Sequence, residues 1–95
     1  MDICVILGSK SDLPIAEKCR SVLDKFELSY EIRVASAHRA PKYLESIVET
    51  AEEDGCQVFI GMAGVAAALP GVIASMTNKP VIGVPVGGKV PLDSL

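Results

Sequence analysis

The segment Ser36-Ala37-His38-Arg39-Ala40-Pro41 sets the one histidine of this chain beside an arginine, directly after the β-branched run Tyr30-Glu31-Ile32-Arg33-Val34. An imidazole titrates near neutral pH and gives or takes a proton at little cost. A guanidinium beside it can hold an anion in a planar fork. A second loop, Gly8-Ser9-Lys10-Ser11-Asp12, follows an apolar run. Gly8 lets the chain turn sharply, the Ser9 and Ser11 hydroxyls can bind an anion, and amides at the next helix start add positive potential. Asp12 suits either ribose hydroxyls or a helix N-cap. A third loop, Gly61 to Gly71, is built of small residues. It could admit a flat heterocycle against main-chain amides. Each loop also has a plain reading: a surface histidine, an ordinary turn and cap, and tight backbone packing.

Chemistry of this kind needs strands to hold it. Asp2 to Leu7 is a continuous apolar run, as a central parallel strand would be. Asp12 and Pro14 then open a helix whose apolar face is Ile15, Cys19, Val22, Leu23 and Phe26. A second strand is expected over Tyr30 to Ala35. A second helix starts at Pro41 and buries Leu44, Ile47, Val48 and Ala51, with Gly55 placed for a left-handed cap. Val58 to Ile60 is a short third strand. A helix runs through Val72 to Met76, and Val81 to Val84 forms a fourth strand. The alternation implies right-handed crossovers and one parallel α/β domain spanning residues 1–95. In a 2-1-3-4 strand order, the three loops converge on one crevice at the carboxyl ends of the strands. Beyond the fourth strand, Val86 to Leu95 is a glycine-rich loop followed by a helix start, which leaves the last strand without its covering helix. The pattern is that of a chain incomplete at its C-terminal end, or one closed by a partner.

Composition narrows the function. The 95 residues are 49% hydrophobic and only 4% aromatic, so the core must come from Val, Ile, Leu and Ala. A net charge of −3 with no basic stripe argues against nucleic acid. The apolar stretch from Val58 to Ala74 is broken by Gly61, Gly64, Pro70 and Gly71, so no membrane span is expected. No secretion signal precedes the first strand. Cys4, Cys19 and Cys56 are scattered among apolar residues without ligand spacing, as expected of free thiols in a reducing cytosol, with no metal site. No G-x-G-x-x-G follows a strand, and Gly88-Lys89 lacks the Ser/Thr of a P-loop. No G-x-S-x-G elbow is present, which argues against a serine hydrolase. The first strand ends in Leu7-Gly8, without the acidic cluster of a receiver module.

Four ordered motifs then carry a resemblance that spans the chain. They are Gly8-Ser-Lys-Ser-Asp12, Ser36-Ala-His-Arg39 with Pro41, Ala63-Gly64 through Ala66-Ala67 to Leu69-Pro-Gly71, and Pro80-Val-Ile-Gly-Val-Pro-Val86. Together they resemble the N5-carboxyaminoimidazole ribonucleotide mutase (PurE) family of purine biosynthesis. The resemblance implies a flavodoxin-like three-layer α/β/α sandwich, with a fifth strand beyond this chain. It also implies a cytoplasmic octamer with active sites near subunit contacts. The implied reaction moves a carboxylate from the exocyclic nitrogen of an aminoimidazole ribonucleotide to ring carbon C4, with no metal, ATP or organic cofactor. His38 would be the general acid/base. Gly8, Ser9, Ser11, Asp12, Ser36 and Arg39 would bind the ribonucleotide, with Ala63, Gly64, Ala66, Ala67 and Leu69 lining the pocket. Two alternatives stand beside it: a carboxylase using free carbon dioxide, and a non-catalytic ribonucleotide-binding homologue or fragment. The chain departs from the family pattern at Ala68, where a second histidine is usual, and at Ala40, where a threonine is usual. Family chains also run well beyond Leu95.

Overall fold

The structure, a computed structural model, describes residues 1–64 and 68–86. Four strands form one parallel sheet in the order β2-β1-β3-β4. They are β1 (Ile3–Leu7), β2 (Tyr30–Val34), β3 (Val58–Ala63) and β4 (Val81–Pro85), linked by α1 (Leu13–Lys25), α2 (Pro41–Glu53) and α3 (Ala68–Ala74). Side chains of β1 alternate between two cores, as strand pleating requires. Cys4 and Ile6 face α2 and α3 and pack with Leu44, Val48, Phe59, Leu69 and Ile73. Val5 and Leu7 face α1 and pack with Ala16, Leu23, Ile60 and Met62.

The second helix forms as its sequence dictates. Pro41 occupies the first turn, where its missing N–H costs nothing. Leu44, Ile47, Val48 and Ala51 are its buried residues. Each large aliphatic side chain so buried contributes about 1.5–3 kcal/mol. Gly55 takes φ 84°, its N–H donates to Glu52 at 3.0 Å, and the Cys56 N–H donates to Ala51 at 2.9 Å. These are the paired closing bonds of a Schellman motif. The same bonds close α1, from Glu27 to Asp24 and from Leu28 to Leu23, with Glu27 at φ 56° in place of a glycine. At its start, α2 carries Ala40 as N-cap, with φ −141° and no side-chain cap bond. Restoring a hydroxyl there by Ala40→Thr should raise stability by about 0.5–2 kcal/mol. A thermal melt would show the gain, and Ala40→Val, which has the shape without the hydroxyl, should not give it.

Three expectations need correction. Val22 and Phe26 do not face the core: they are 51% and 72% exposed, while Ala16 and Leu23 are the buried residues of α1. The helix is turned so that Ala16 and Leu23 approach the sheet, with Ile15 and Cys19 packed beside them, while Val22 and Phe26 face outward. The third strand does not end at Ile60 but runs on through Gly61 and Met62 to Ala63. Gly61 is therefore a buried strand residue and not the opening of a loop. The following helix starts earlier than Val72, at Ala68, and takes in Leu69, Pro70 and Gly71. The expected helix start after Val86 lies outside the described residues.

The covering of the sheet is uneven. On the α1 face, the row Ile32, Val5, Ile60 and Ile82 crosses all four strands in register. Val5 is fully buried at its centre, whereas Ile82 on β4 is 51% exposed. No described helix is long and apolar enough to cross a membrane.

Candidate active site

The loops after β1, β2 and β3 meet at the carboxyl ends of the strands, where a doubly wound sheet places its ligand crevice. A hollow of about 190 Å³ is lined by Gly8, Ser9 and Asp12 from the first loop, and by Ser36, Ala37 and His38 from the second. Ala63, Gly64, Ala68 and Leu69 from the third complete its described wall. A larger hollow of about 590 Å³ adjoins it, sharing Gly8, Ser9 and Ser36, and its cations are Lys10 and Arg39. Arg39 is thus not in the same hollow as His38 but next door, across the shared serines. Ala66 and Ala67 lie outside the described residues.

The first loop differs locally from a simple N-cap. Ser9, in extended conformation, caps a 3-10 turn over Lys10–Asp12 that leads into α1. Its Oγ accepts from the Ser11 N–H at 3.2 Å and pairs with the Ser11 Oγ at 2.9 Å. With the Ser11 hydroxyl as donor in that pair, the Ser9 proton is left to point at a ligand. Ser11 itself lines neither hollow; it holds Ser9 in place. Asp12 makes no side-chain cap bond. Its carboxylate lines the hollow, while Ser9 caps the preceding 3-10 turn. Partial burial raises the Asp12 carboxyl above its ordinary value, opposed by the backbone of Ser9.

Main-chain amides contribute less than the sequence suggested. The Gly8 N–H donates to Met62 O at 2.9 Å, and the Asp12 N–H to Ser9 O at 3.1 Å. With the Ser11 amide also engaged, three amides of this loop are committed within the chain, and side chains must supplement the rest. The second loop is folded to supply them. The Arg39 N–H donates to the Ser36 Oγ at 3.1 Å, and the Ala40 N–H to Ser36 O at 3.0 Å. The Ser36 oxygen is thereby fixed as an acceptor, and its own proton can be donated to a ligand. The imidazole of His38 is exposed and makes no hydrogen bond to a described residue. It is unencumbered, as a group that must exchange protons with a ligand should be.

Lys10 and Tyr43 were not singled out from sequence. Both line the larger hollow, with Tyr43 projecting from the first turn of α2. Their only sequence signal was adjacency, to Ser9 in one case and to the start of α2 in the other. The cysteines take no part. Cys4 and Cys56 are buried, and desolvation, with Cys56 nearby, pushes the Cys4 thiol up to about 12. Among the described residues no group of three or more His, Cys, Asp or Glu side chains clusters to hold a metal ion.

The arrangement therefore has two ends. One offers an imidazole and a carboxylate over small apolar walls. The other offers two cations and three hydroxyls, from Ser9, Ser36 and Tyr43. A molecule carrying a polar heterocycle on a phosphorylated sugar matches both.

The chain is similar to known proteins. The chain is 55% identical over 94 residues to the N5-carboxyaminoimidazole ribonucleotide mutase of Methanocaldococcus jannaschii, covering 98% of this chain and 58% of that one. It is 46% identical over 97 residues to the enzyme of that name from Vibrio cholerae, covering 100% and 60%. The crystal structure of Treponema denticola PurE superposes with a TM-score of 0.86 at 31% identity, over 90% of this chain and 55% of that one. The chain thus spans little more than half the length of these relatives. Residues 2–95 match the family model described as AIR carboxylase, and on that match the chain belongs to the AIR carboxylase family.

Proposed function

We propose that the protein containing this chain is an N5-carboxyaminoimidazole ribonucleotide mutase of purine biosynthesis. The observation that carries this is the meeting of His38 and Asp12 in one hollow that opens, across Ser9 and Ser36, onto Arg39. In this reading Ser9, Ser36 and Arg39 grip the phosphate, Asp12 accepts from the ribose hydroxyls, and the imidazole ring lies against Ala63 and Gly64. Protonated His38 gives its proton to the exocyclic nitrogen as the nitrogen–carboxylate bond breaks and carbon dioxide leaves. Ring carbon C4 then attacks the trapped carbon dioxide, forming the new carbon–carbon bond. Neutral His38 removes the C4 proton, which restores the ring and its own charge. Protons balance over the cycle, and nothing is oxidised or reduced. The intermediate must be kept from water, so the site needs a closed, dry wall.

Ala68 lines the hollow where relatives are expected to carry a second imidazole. His38 is the one histidine within residues 1–95, so no second imidazole from this part of the protein shares its work. The names of the relatives support the mutase over a carboxylase using free carbon dioxide. The deciding assay supplies the intact natural protein with N5-carboxyaminoimidazole ribonucleotide in buffer stripped of bicarbonate. Formation of the C4-carboxylated isomer supports the mutase. Product only from aminoimidazole ribonucleotide plus added bicarbonate would favour the carboxylase. Its working place in this reading is the cytosol, consistent with free cysteines. Self-assembly, as an octamer by family resemblance, is supported by the exposed Val22, Phe26 and Ile82.

A further inference from the structure

Two glycines face each other across neighbouring strands. Gly61 of β3 and Gly83 of β4 are register partners, in the row that runs through Ile6 on the α2/α3 face. One proline covers both. A Cβ on Gly61 would lie 3.3 Å from the Pro70 Cα and Cγ and 3.1 Å from the Ile73 Cδ1. A Cβ on Gly83 would lie 3.2 Å from the Pro70 Cβ and Cγ. Carbon atoms pack without strain at about 3.5–4.0 Å, so either methyl would push α3 away from the sheet by a few tenths of an ångström. Gly71, one residue on, has nothing within 4 Å and needs no such room.

What α3 carries makes that depth matter. Its first two residues, Ala68 and Leu69, form part of the wall of the hollow that contains His38. The Leu69 Cδ2 lies 3.9 Å from the Cβ position of Gly8, on the opposite loop. Pro70 follows directly on Leu69, so the height of the proline on its glycine seat sets the gap between these walls. We propose that the Gly61–Gly83 pair and Pro70 are positioning residues, which fix the width of the heterocycle end of the hollow without touching a ligand. The ligand part of this proposal rests on the ribonucleotide reading above.

The test uses the intact natural protein with Gly83→Ala, the double variant Gly83→Ala/Pro70→Ala, and Gly71→Ala as control. Gly83 is the better site because its added methyl meets only ring atoms of Pro70. The direct readout is the nuclear Overhauser contact between a Leu69 methyl and the Gly8 α-protons. It should weaken in Gly83→Ala, return when the ring is also removed, and stay unchanged in Gly71→Ala. Titration calorimetry with two probes reads the consequence. Affinity for aminoimidazole ribonucleotide should fall roughly three- to tenfold in Gly83→Ala, given that an ångström of misplacement can cost about a hundredfold. Affinity for ribose 5-phosphate, which lacks the ring, should hold within about twofold by the same reasoning. An unchanged Leu69–Gly8 contact in Gly83→Ala would overturn the positioning claim, as would equal weakening of both probes. If the unsubstituted protein binds neither probe, the ribonucleotide reading fails, and the Leu69–Gly8 contact alone still decides the positioning claim.

Discussion

Replacing His38 by asparagine should lower mutase turnover of the intact protein by about 10²- to 10⁴-fold, the usual worth of a positioned general acid/base. Asparagine keeps a hydrogen-bond donor of similar reach but cannot carry a proton between nitrogen and carbon. The fold should not notice the change, since the imidazole is exposed and bonded to no described residue. The thermal midpoint should therefore stay constant, and ribonucleotide affinity should change little. Within residues 1–95 no other histidine is available to rescue the variant. Turnover that survives Asn at this position would remove His38 from the mechanism.

Asp12→Asn should separate binding from stability in the opposite direction. In the free protein the carboxyl is raised above the ordinary 3.8 by partial desolvation. The folded state thus holds the Asp12 proton more tightly than the unfolded chain does. Stability from this group is present below pH 3.8, falls as pH rises through the raised value, and stays lower from there to neutrality. Removing the charge should make the free protein slightly more stable at neutral pH. Binding should suffer, since a hydrogen bond to a charged group is worth about 1.5–3 kcal/mol, or roughly ten- to a hundredfold in affinity. Thermal shift with and without ribonucleotide reads both effects. A variant that melts lower when free and binds as before would show that Asp12 is structural. Functional sites commonly trade stability in this way.

The sequence made some parts legible for identifiable reasons. In α2 the proline start, the apolar spacing and Gly55 all point to one helix, and all four expected residues are buried. The strand order and the meeting of three loops follow from alternation and handedness, which leave few topologies. Elsewhere a local signal had two physical causes. The stripe Ile15, Cys19, Val22, Leu23, Phe26 marks an apolar face but not what covers it, and in this chain Leu23 is buried while Val22 and Phe26 remain exposed. Gly61 reads as a turn by type, yet it is a strand residue made small for Pro70, a partner nine positions away. Glu27 adopts a positive φ that nothing in its type announces.

The site divides along the same line. His38, Ser36, Ser9 and Asp12 stand in one hollow because each sits just past a strand end, a property visible in the sequence. That Ser9, and not Asp12, does the local capping depended on the 3-10 turn between them. Ser11, read as a ligand group, lines neither hollow and hydrogen-bonds Ser9. Arg39 and His38 are adjacent in sequence but line different hollows, a separation that emerges only from the fold.

The central claim is that carboxylate passes from nitrogen to carbon inside one closed site. The most direct measurement gives the intact protein substrate labelled with carbon-13 in its N-carboxylate, in buffer holding unlabelled bicarbonate, and follows the label by mass spectrometry. Retention of the label on C4 is the predicted result. A C4-carboxylate carrying the isotope ratio of the bicarbonate pool would contradict it, because the carbon dioxide would then have come from solution.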